Sequence, residues 1–125
     1  MTLRRTLTLG CEDASRLADA CLAEASSMGV AVCIAVVDNG GHLLHFRRMD
    51  GAPLLSASLA QDKAYSVAAF NGLPTDAWWE LLSQDEAVKH GIIKSDRLIV
   101  FGGGRPCLVD GQVVGAIGVS GGSAD

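Results

Sequence analysis

Residues 30–41, VAVCIAVVDNGG, join eight consecutive apolar residues to four residues that favour a turn. The apolar run over residues 30–37 is rich in β-branched side chains, which is typical of a strand covered on both faces. Asp38-Asn39-Gly40-Gly41 tolerates positive φ, so it predicts a hairpin turn into a second, amphipathic strand over residues 42–49. The centre of the fold is therefore predicted to be an antiparallel sheet.

Helices are predicted on both sides of this hairpin in the sequence. Residues 54–70 contain almost no helix breakers and predict the longest helix of the chain. Thr75 is expected to cap a short helix that carries Trp78 and Trp79, whose bulky side chains cannot both point inward and are candidates to anchor an interface. An earlier amphipathic helix, ending at Gly29, is predicted by the helical spacing of Ala14, Leu17, Ala18, Cys21, Leu22 and Ala25.

The last third of the chain predicts further strands. Residues 83–97 have a mixed polar pattern and are interpreted as an irregular connection. Residues 98–101 are predicted to form a strand, and residues 107–109 and 112–119 a hairpin around a two-residue turn. The predicted order is α-β-β-α-α-β-β-β, with about five strands, which defines the α+β class.

Composition limits the function classes. A chain of 125 residues buries enough surface for one core, so a single domain over 1–125 is expected. Lys and Arg number 10 against 14 Asp and Glu, and a net charge of −4 argues against a nucleic-acid partner. No apolar run is long enough to cross a bilayer or to form a signal peptide, so we expect no membrane partner and a cytoplasmic location.

The cysteines have no metal-binding spacing and are interpreted as reduced, small hydrophobic residues. They are Cys11, Cys21, Cys33 and Cys107. Because 49% of so short a chain is hydrophobic, we also expect it to form an oligomer.

Lys63 lies on an otherwise largely apolar helical stripe. One interpretation is that it lies at the margin of the stripe and extends its ammonium group to water. The other is partial burial, which is costly without a carboxylate or a ligand anion, and Asp38 and Asp50 are the candidate partners. Such a pair can hold a turn, or bind a substrate carboxylate and move a proton. The stripe consists of Ser56, Leu59, Lys63, Val67 and Phe70.

Two glycine-rich segments do not match a nucleotide-binding motif. Gly102-Gly103-Gly104 is followed by a predicted strand and lacks the Gly-Lys-Ser/Thr sequence of a phosphate-binding loop. The second segment, which ends at Ser120-Gly121-Gly122, lies on and after a strand. Glycines in that setting indicate close backbone approach, either by another part of the chain or by a ligand.

Three histidines are candidate haem-iron ligands. His42 and His45 are expected on opposite faces of the second strand, so they cannot bind one metal together. His90 lies in the irregular connection and is a candidate axial ligand of haem.

Five segments occur in one order along nearly the whole chain, and together they resemble the GlcG/HbpS-like family. This resemblance implies a compact profilin-like sheet flanked by helices, homo-oligomers from dimers to octamers, and haem binding. The segments are VVDNGGHL (36–43), RMDGA (48–52), DKAY (62–65), GGGRP (102–106) and DGQVVGAIGVSGG (110–122).

The resemblance also implies which residues contact a ligand, either haem or a small anionic metabolite. The iron ligand differs among members and is not part of the shared motifs. Relatives usually continue into a C-terminal helix, whereas this sequence ends at Ser123-Ala124-Asp125, so that helix is expected to be absent or truncated. The motif residues implied in ligand binding are Asp38, Asp50, Lys63, Gly102, Gly103, Gly104, Ser120, Gly121 and Gly122.

Three functional hypotheses follow, and whether the protein is an enzyme is left open. The first is a haem-binding or haem-sensing accessory protein. The second is a cofactor-independent lyase, isomerase or hydratase for a carboxylated intermediate, with Lys63 and Asp50 as catalytic residues. The third is a structural oligomer whose motif residues serve packing.

Overall fold

One antiparallel sheet with helices on both faces forms the centre of the protein. The structure, a computed structural model, describes residues 1–122. In chain order the elements are α1 (Cys11–Met28), β1 (Val32–Asp38), β2 (Leu43–Arg48), α2 (Leu55–Ala69), a 3₁₀ turn (Thr75–Ala77), α3 (Trp78–Leu82), α4 (Glu86–Ile92), β3 (Gly104–Val109) and β4 (Gln112–Gly121).

The strand order across the sheet is β2-β1-β4-β3, and every neighbouring pair is antiparallel. Strand β1 is central and fully covered, since residues 32–37 are all buried. Alternate side chains pack on opposite layers: Cys33 and Ala35 contact the α2 side, whereas Ile34 and Val36 contact the α1 side. The prediction of a central strand covered on both faces is confirmed.

Helix α2 lies directly against β4 because the strand presents glycine at the contact. A Cβ atom at Gly118 would collide with the carbonyl oxygen of Ala60 and lie 2.7 Å from the Ala64 nitrogen. Any side chain here would push the helix away from the sheet. This contact sets how close α2 lies to the sheet, and therefore which side chains of α2 face β4 and which face away from it.

The α+β class is confirmed, but the described residues contain four strands rather than five. Residues 98–101, predicted as a strand, contain no regular structure. A side chain on α2 contacts this backbone: the Ser66 hydroxyl accepts a hydrogen bond from the Ile99 N–H at 2.8 Å. Its one proton lies between the carbonyl oxygens of Asp62, at 2.7 Å, and Arg97, at 2.9 Å. Backbone groups that would pair in a sheet are thereby engaged by a helix.

The prediction that residues 83–97 are irregular throughout was wrong, because they contain α4. The Asp85 side chain caps this helix by accepting hydrogen bonds from the N–H groups of Ala87 and Val88. Helix α4 buries none of its residues, so the sequence shows no apolar periodicity at this point.

Burial separates the cysteines. Cys33 is buried, Cys21 and Cys107 are partly buried, and Cys11 is exposed. Burial agrees with the interpretation as small hydrophobic residues for the other three, whereas Cys11 lies at the exposed start of α1.

The two adjacent tryptophans point in different directions, as expected: Trp78 is 3% exposed and Trp79 is 63% exposed. Within residues 1–122, none of the helices is long and apolar enough to cross a membrane. The expectation of an absent or truncated C-terminal helix concerns residues 123–125, which lie outside the described residues.

Candidate functional site

The turn between β1 and β2 places the His42 ring, which is 80% exposed, against the carboxylate of Asp38. One carboxylate oxygen of Asp38, Oδ1, accepts hydrogen bonds from the backbone N–H of Gly40 at 2.9 Å and of His42 at 3.0 Å. The same oxygen lies 3.1 Å from the His42 Nδ1 atom, and the Asp38 N–H donates to the His42 carbonyl oxygen at 3.0 Å. Backbone and side-chain contacts therefore both orient the imidazole.

The ionisation of Asp38 determines which nitrogen of His42 is free. Burial opposes the ionisation of Asp38, but the hydrogen bonds from the His42 backbone, the His42 ring and the Gly40 backbone outweigh burial and lower the Asp38 pKa. An ionised carboxylate can only accept, so Nδ1 carries the proton that it shares with Asp38. In the neutral form of the ring the Nε2 atom presents a lone pair, and it has no hydrogen-bond partner within residues 1–122.

His42 lines an open groove of about 530 Å³ between the first hairpin and α2. This volume is within the usual range of about 300–1,000 Å³ for small-molecule pockets. The half-exposed side chain of Leu43 gives the groove apolar surface, and α2 gives it a polar wall. The lining residues are Val37, Gly41, His42, Leu43, Ser58, Gln61, Asp62 and Arg97.

Arg97 adds a positive charge to the groove from the segment that connects α4 to β3. Its Nε atom donates to Asp62 Oδ1 at 2.8 Å, so the guanidinium group is attached to α2. The groove thus combines an oriented imidazole with a guanidinium group. An imidazole can ligate a metal or exchange a proton, and a guanidinium group can bind a carboxylate.

Lys63 is buried on a different face of α2 from the groove. It is 6% exposed, its Nζ atom donates to the Val119 carbonyl oxygen at 3.1 Å, and it lies 5.2 Å from the centre of the Phe101 ring. Burial lowers the Lys63 pKa. Of the two interpretations, burial is confirmed, but no carboxylate of residues 1–122 lies within 4.0 Å of Nζ. The expected pairing with Asp38 or Asp50 is absent there.

Other predicted site residues lie outside the groove. The Nε2 atom of His45 accepts a hydrogen bond from Arg47 Nε at 3.0 Å. His90 lies on the exposed helix α4, with its Nε2 atom 3.1 Å from a Glu86 carboxylate oxygen. Asp50 is exposed in the turn after β2. The structure therefore brings Asp38 and His42 together and separates them from His45, His90 and Asp50.

The first glycine segment packs against the chain. A Cβ atom at Gly103 would lie 2.7 Å from Lys63 Nζ, and one at Gly104 would lie 2.7 Å from Thr75 Cγ2. The Gly104 N–H donates to Thr75 Oγ1 at 2.9 Å, and Gly102 lies near Asp76. Glycine is therefore needed at positions 103 and 104 because the backbone packs closely over Lys63 and leaves no room for a side chain.

The second glycine segment combines packing with a cavity wall. Ser120 is buried opposite Cys33 on β1, and a Cβ atom at Gly121 would lie 2.8 Å from the Ala31 carbonyl oxygen. Gly121 and Gly122 also line a second, largely apolar cavity of about 270 Å³ beside the end of α1. This cavity lacks the histidines of the sequence prediction.

The sequence prediction missed the polar wall of the groove. Ser58, Gln61 and Asp62 lie at positions i, i+3 and i+4 of α2, which places them on one helix face, and Tyr65 continues this face at i+7 beyond the groove lining. That spacing was a usable sign of a second functional face. Arg97 gave no comparable sign, because it lies in a segment without periodicity.

These elements and this groove define a small α+β protein in which a polar groove opens beside the first hairpin of an antiparallel sheet. A family model described as "Haem degrading protein HbpS-like" matches residues 9–125. The chain belongs to this HbpS-like family, and the family assignment made from the sequence motifs is confirmed.

Two relatives support the family assignment. The chain is 36% identical over 125 residues to an uncharacterized 15.0 kDa protein in the dhaT-dhaS intergenic region of Citrobacter freundii, which covers 96% of this chain and 83% of that protein. It is 37% identical over 97 residues to protein GlcG of Escherichia coli K12, which covers 78% of this chain and 69% of GlcG.

Three solved structures share the fold of this chain. Klebsiella pneumoniae protein ORFY is 34% identical with a TM-score of 0.84, covering 99% of this chain and 86% of that chain. HbpS is 32% identical with a TM-score of 0.83, covering 95% and 81%. A PduOC:heme complex is 28% identical with a TM-score of 0.81, covering 94% and 86%.

Proposed function

We propose that this protein is a haem-binding accessory or haem-sensing protein, and that the groove beside His42 holds the haem. The observation that carries the proposal is the His42 imidazole, which combines a free Nε2 atom with an ionised carboxylate at Nδ1. Metal-binding histidines usually donate their second N–H to such a partner, because it fixes the tautomer and raises the basicity of the ligand. The family description and the haem complex of PduOC support the same ligand.

The other histidines fit haem less well. The Nε2 atom of His45 accepts a hydrogen bond from Arg47, so binding iron there requires that contact to break. His90 lies on exposed α4 and pairs with Glu86, away from the residues that line the groove. Of the three, His42 lines the groove, where its Nε2 atom has no hydrogen-bond partner among the described residues and the half-exposed Leu43 side chain offers apolar contact to a macrocycle. When bound, haem supplies iron-centred redox and ligand-binding chemistry.

We also propose that the protein is a cytoplasmic homo-oligomer formed from a single domain over 1–125. Support for an oligomer comes from large apolar side chains left exposed on the monomer, especially Leu54 at 80% and Leu55 at 69% at the start of α2. The edge strand β3 adds Leu108 and Val109, at 57% and 47%, and exposed apolar surface of this kind marks interfaces. The free cysteines are compatible with a reducing compartment.

The enzyme hypothesis built on Lys63 and Asp50 receives no support from the geometry. Lys63 is covered by the Gly103 backbone and the Phe101 ring, whereas Asp50 is exposed at the end of β2. The contacts of Lys63 are those of a packing residue, which agrees with the structural hypothesis for that side chain.

A hemin titration of the purified protein tests the proposal. Soret absorbance is followed for the wild type and for His42→Ala, with His45→Ala and His90→Ala as matched controls. We expect saturable binding that is lost in His42→Ala and kept in both controls. Equal binding by His42→Ala overturns the assignment of the ligand. A weak, unsaturable change in all four proteins overturns haem binding itself.

A further inference from the structure

We propose that Arg97 is a preorganised carboxylate-binding residue of the groove. The chemical class that it recognises is a monocarboxylate, which comes either from a free small metabolite or from a haem propionate. Only the haem source rests on the proposed function. The proposal stands on the backbone, the side-chain contacts and the surrounding charges of Arg97.

The backbone of Arg97 is held in an unfavourable conformation. Its φ of 68° lies in the left-handed region, which costs a non-glycine residue about 1 kcal/mol or more and persists only where the surroundings enforce it. Ser66 on α2 supports it here: the hydroxyl accepts a hydrogen bond from the Ile99 N–H at 2.8 Å and lies 2.9 Å from the Arg97 carbonyl oxygen, sharing its proton with the Asp62 carbonyl oxygen at 2.7 Å. Strain of this kind is concentrated at binding sites.

The guanidinium group is fixed from two directions by α2. It lies over the Tyr65 ring, with Cζ 4.0 Å from the ring centre, and its Nε atom donates to Asp62 Oδ1 at 2.8 Å. Because Nε is occupied, the remaining edge of the fork is the one formed by the two terminal nitrogens. Neither has a hydrogen-bond partner among the described residues. This edge matches the two oxygens of a carboxylate.

The acidic residues near Arg97 favour a ligand with one negative charge over a ligand with two. Asp62 offsets the charge of Arg97, and the Asp38 carboxylate is held by the His42 side of the groove. A phosphate dianion would face repulsion from both acids, whereas a carboxylate brings one charge and fits the free edge of the fork. The Arg97 side chain is 45% exposed, so a small carboxylate is expected to bind weakly, in the millimolar range.

The free-carboxylate source is tested by NMR with arginine side-chain resonances in the wild-type protein. Propionate is titrated, with propionamide as its uncharged counterpart and inorganic phosphate as the dianion. We expect a saturable shift of the Arg97 Nε–H resonance with propionate only. Arg105 is the matched internal control, because it is exposed and pairs with Asp76 outside the groove. Equal shifts at Arg97 and Arg105, or equal effects of phosphate, overturn the proposal.

The haem source is tested by comparing hemin with its dimethyl ester, in which both propionates are masked. In the wild type the ester is expected to bind about tenfold more weakly, which corresponds to the loss of one charge-assisted contact. In Arg97→Gln the two ligands are expected to bind equally, whereas Arg105→Gln behaves as wild type.

Together, the propionate titration and the hemin ester comparison distinguish a failure of this proposal from a failure of haem binding. A propionate shift at Arg97 without any hemin binding supports the carboxylate site and overturns haem as its source. Normal hemin binding by Arg97→Gln, together with no propionate shift in the wild type, overturns the carboxylate site and leaves haem binding intact.

Discussion

Asp38 is expected to have two separable roles, which Asp38→Asn and Asp38→Ala distinguish. Its carboxylate holds the turn by accepting two backbone hydrogen bonds, from Gly40 and His42, and it orients the His42 ring. Asparagine keeps an acceptor oxygen for the backbone but loses the negative charge at Nδ1. Alanine removes both functions.

The expected magnitudes follow from these contacts. A backbone hydrogen bond contributes about 1 kcal/mol net, so Asp38→Ala should lower the free energy of unfolding by about 2 kcal/mol, or Tm by roughly 8 °C. Asp38→Asn should lower it by less than about 1 kcal/mol. Both variants should bind hemin about 10- to 100-fold more weakly, because a metal-binding histidine loses its carboxylate partner.

Urea unfolding and hemin titration at neutral pH measure the two effects. The folded-state pKa of Asp38 is lowered, so the charge contributes stability above the unfolded value of about 3.9 and this contribution is lost as the pH falls through the folded-state pKa. The difference between wild type and Asp38→Asn should therefore shrink in acid. Wild-type hemin affinity in Asp38→Asn, or wild-type stability in Asp38→Ala, would refute the reasoning.

Four further substitutions test the packing around the site, with urea unfolding as the common measurement. Gly118→Ala should lower the free energy of unfolding by about 2 kcal/mol or more, because its Cβ meets α2. Gly91→Ala, with open space around its Cβ, should raise it by up to about 1 kcal/mol, and equal effects would contradict this account. Burial lowers the Lys63 pKa, so the unfolded state binds more protons only between the folded-state pKa and the unfolded value of about 10.4. Over that alkaline window the stability of wild type relative to Lys63→Met should rise with pH, and a constant difference across it contradicts the account. Ser66→Ala should cost about 1–3 kcal/mol and speed amide exchange at Ile99, and unchanged exchange would contradict the role of the hydroxyl.

The sequence predicts those parts of the fold in which local pattern and tertiary packing agree. The apolar run over residues 30–37 forms a central strand, and the glycine-rich turn after it pairs β1 with β2. The last hairpin around Asp110-Gly111 pairs β3 with β4. In each case a period-two or continuous apolar pattern meets a turn that needs positive φ, and no distant residue is required to decide the outcome.

The structure of residues 83–101 could not be predicted from local sequence patterns. It depends on a helix at the surface and on contacts with residues far away in the sequence. Helix α4 is capped by Asp85 and buries nothing, so apolar spacing cannot reveal it. Residues 98–101 are apolar enough for a strand, but Ser66 engages their backbone from a position more than 30 residues away. The Ser66 hydroxyl thereby engages the Ile99 N–H, which strand pairing would need.

The candidate site was predicted in part for the same reason. Asp38 and His42 are four residues apart, so a turn brings them together and local sequence is enough to mark both as candidates. Arg97 is positioned at the groove by its contacts with Ser66, Asp62 and Tyr65 on α2. Its position depends on tertiary structure, which no spacing within residues 83–97 encodes.

Two adjacent residues on α2, Asp62 and Lys63, are expected to have different roles, one in ligand binding and the other in stability. Asp62 faces the groove and holds Arg97, whereas Lys63 faces β4 and contacts the Val119 carbonyl. Successive residues of a helix are separated by about 100°, so the DKAY motif necessarily sends these side chains to different surroundings. Substitutions of Lys63 should therefore change the free energy of unfolding with little effect on ligand affinity, and substitutions of Asp62 should do the reverse. In the DKAY motif, Lys63 therefore packs against the sheet, while its neighbour Asp62 lines the groove.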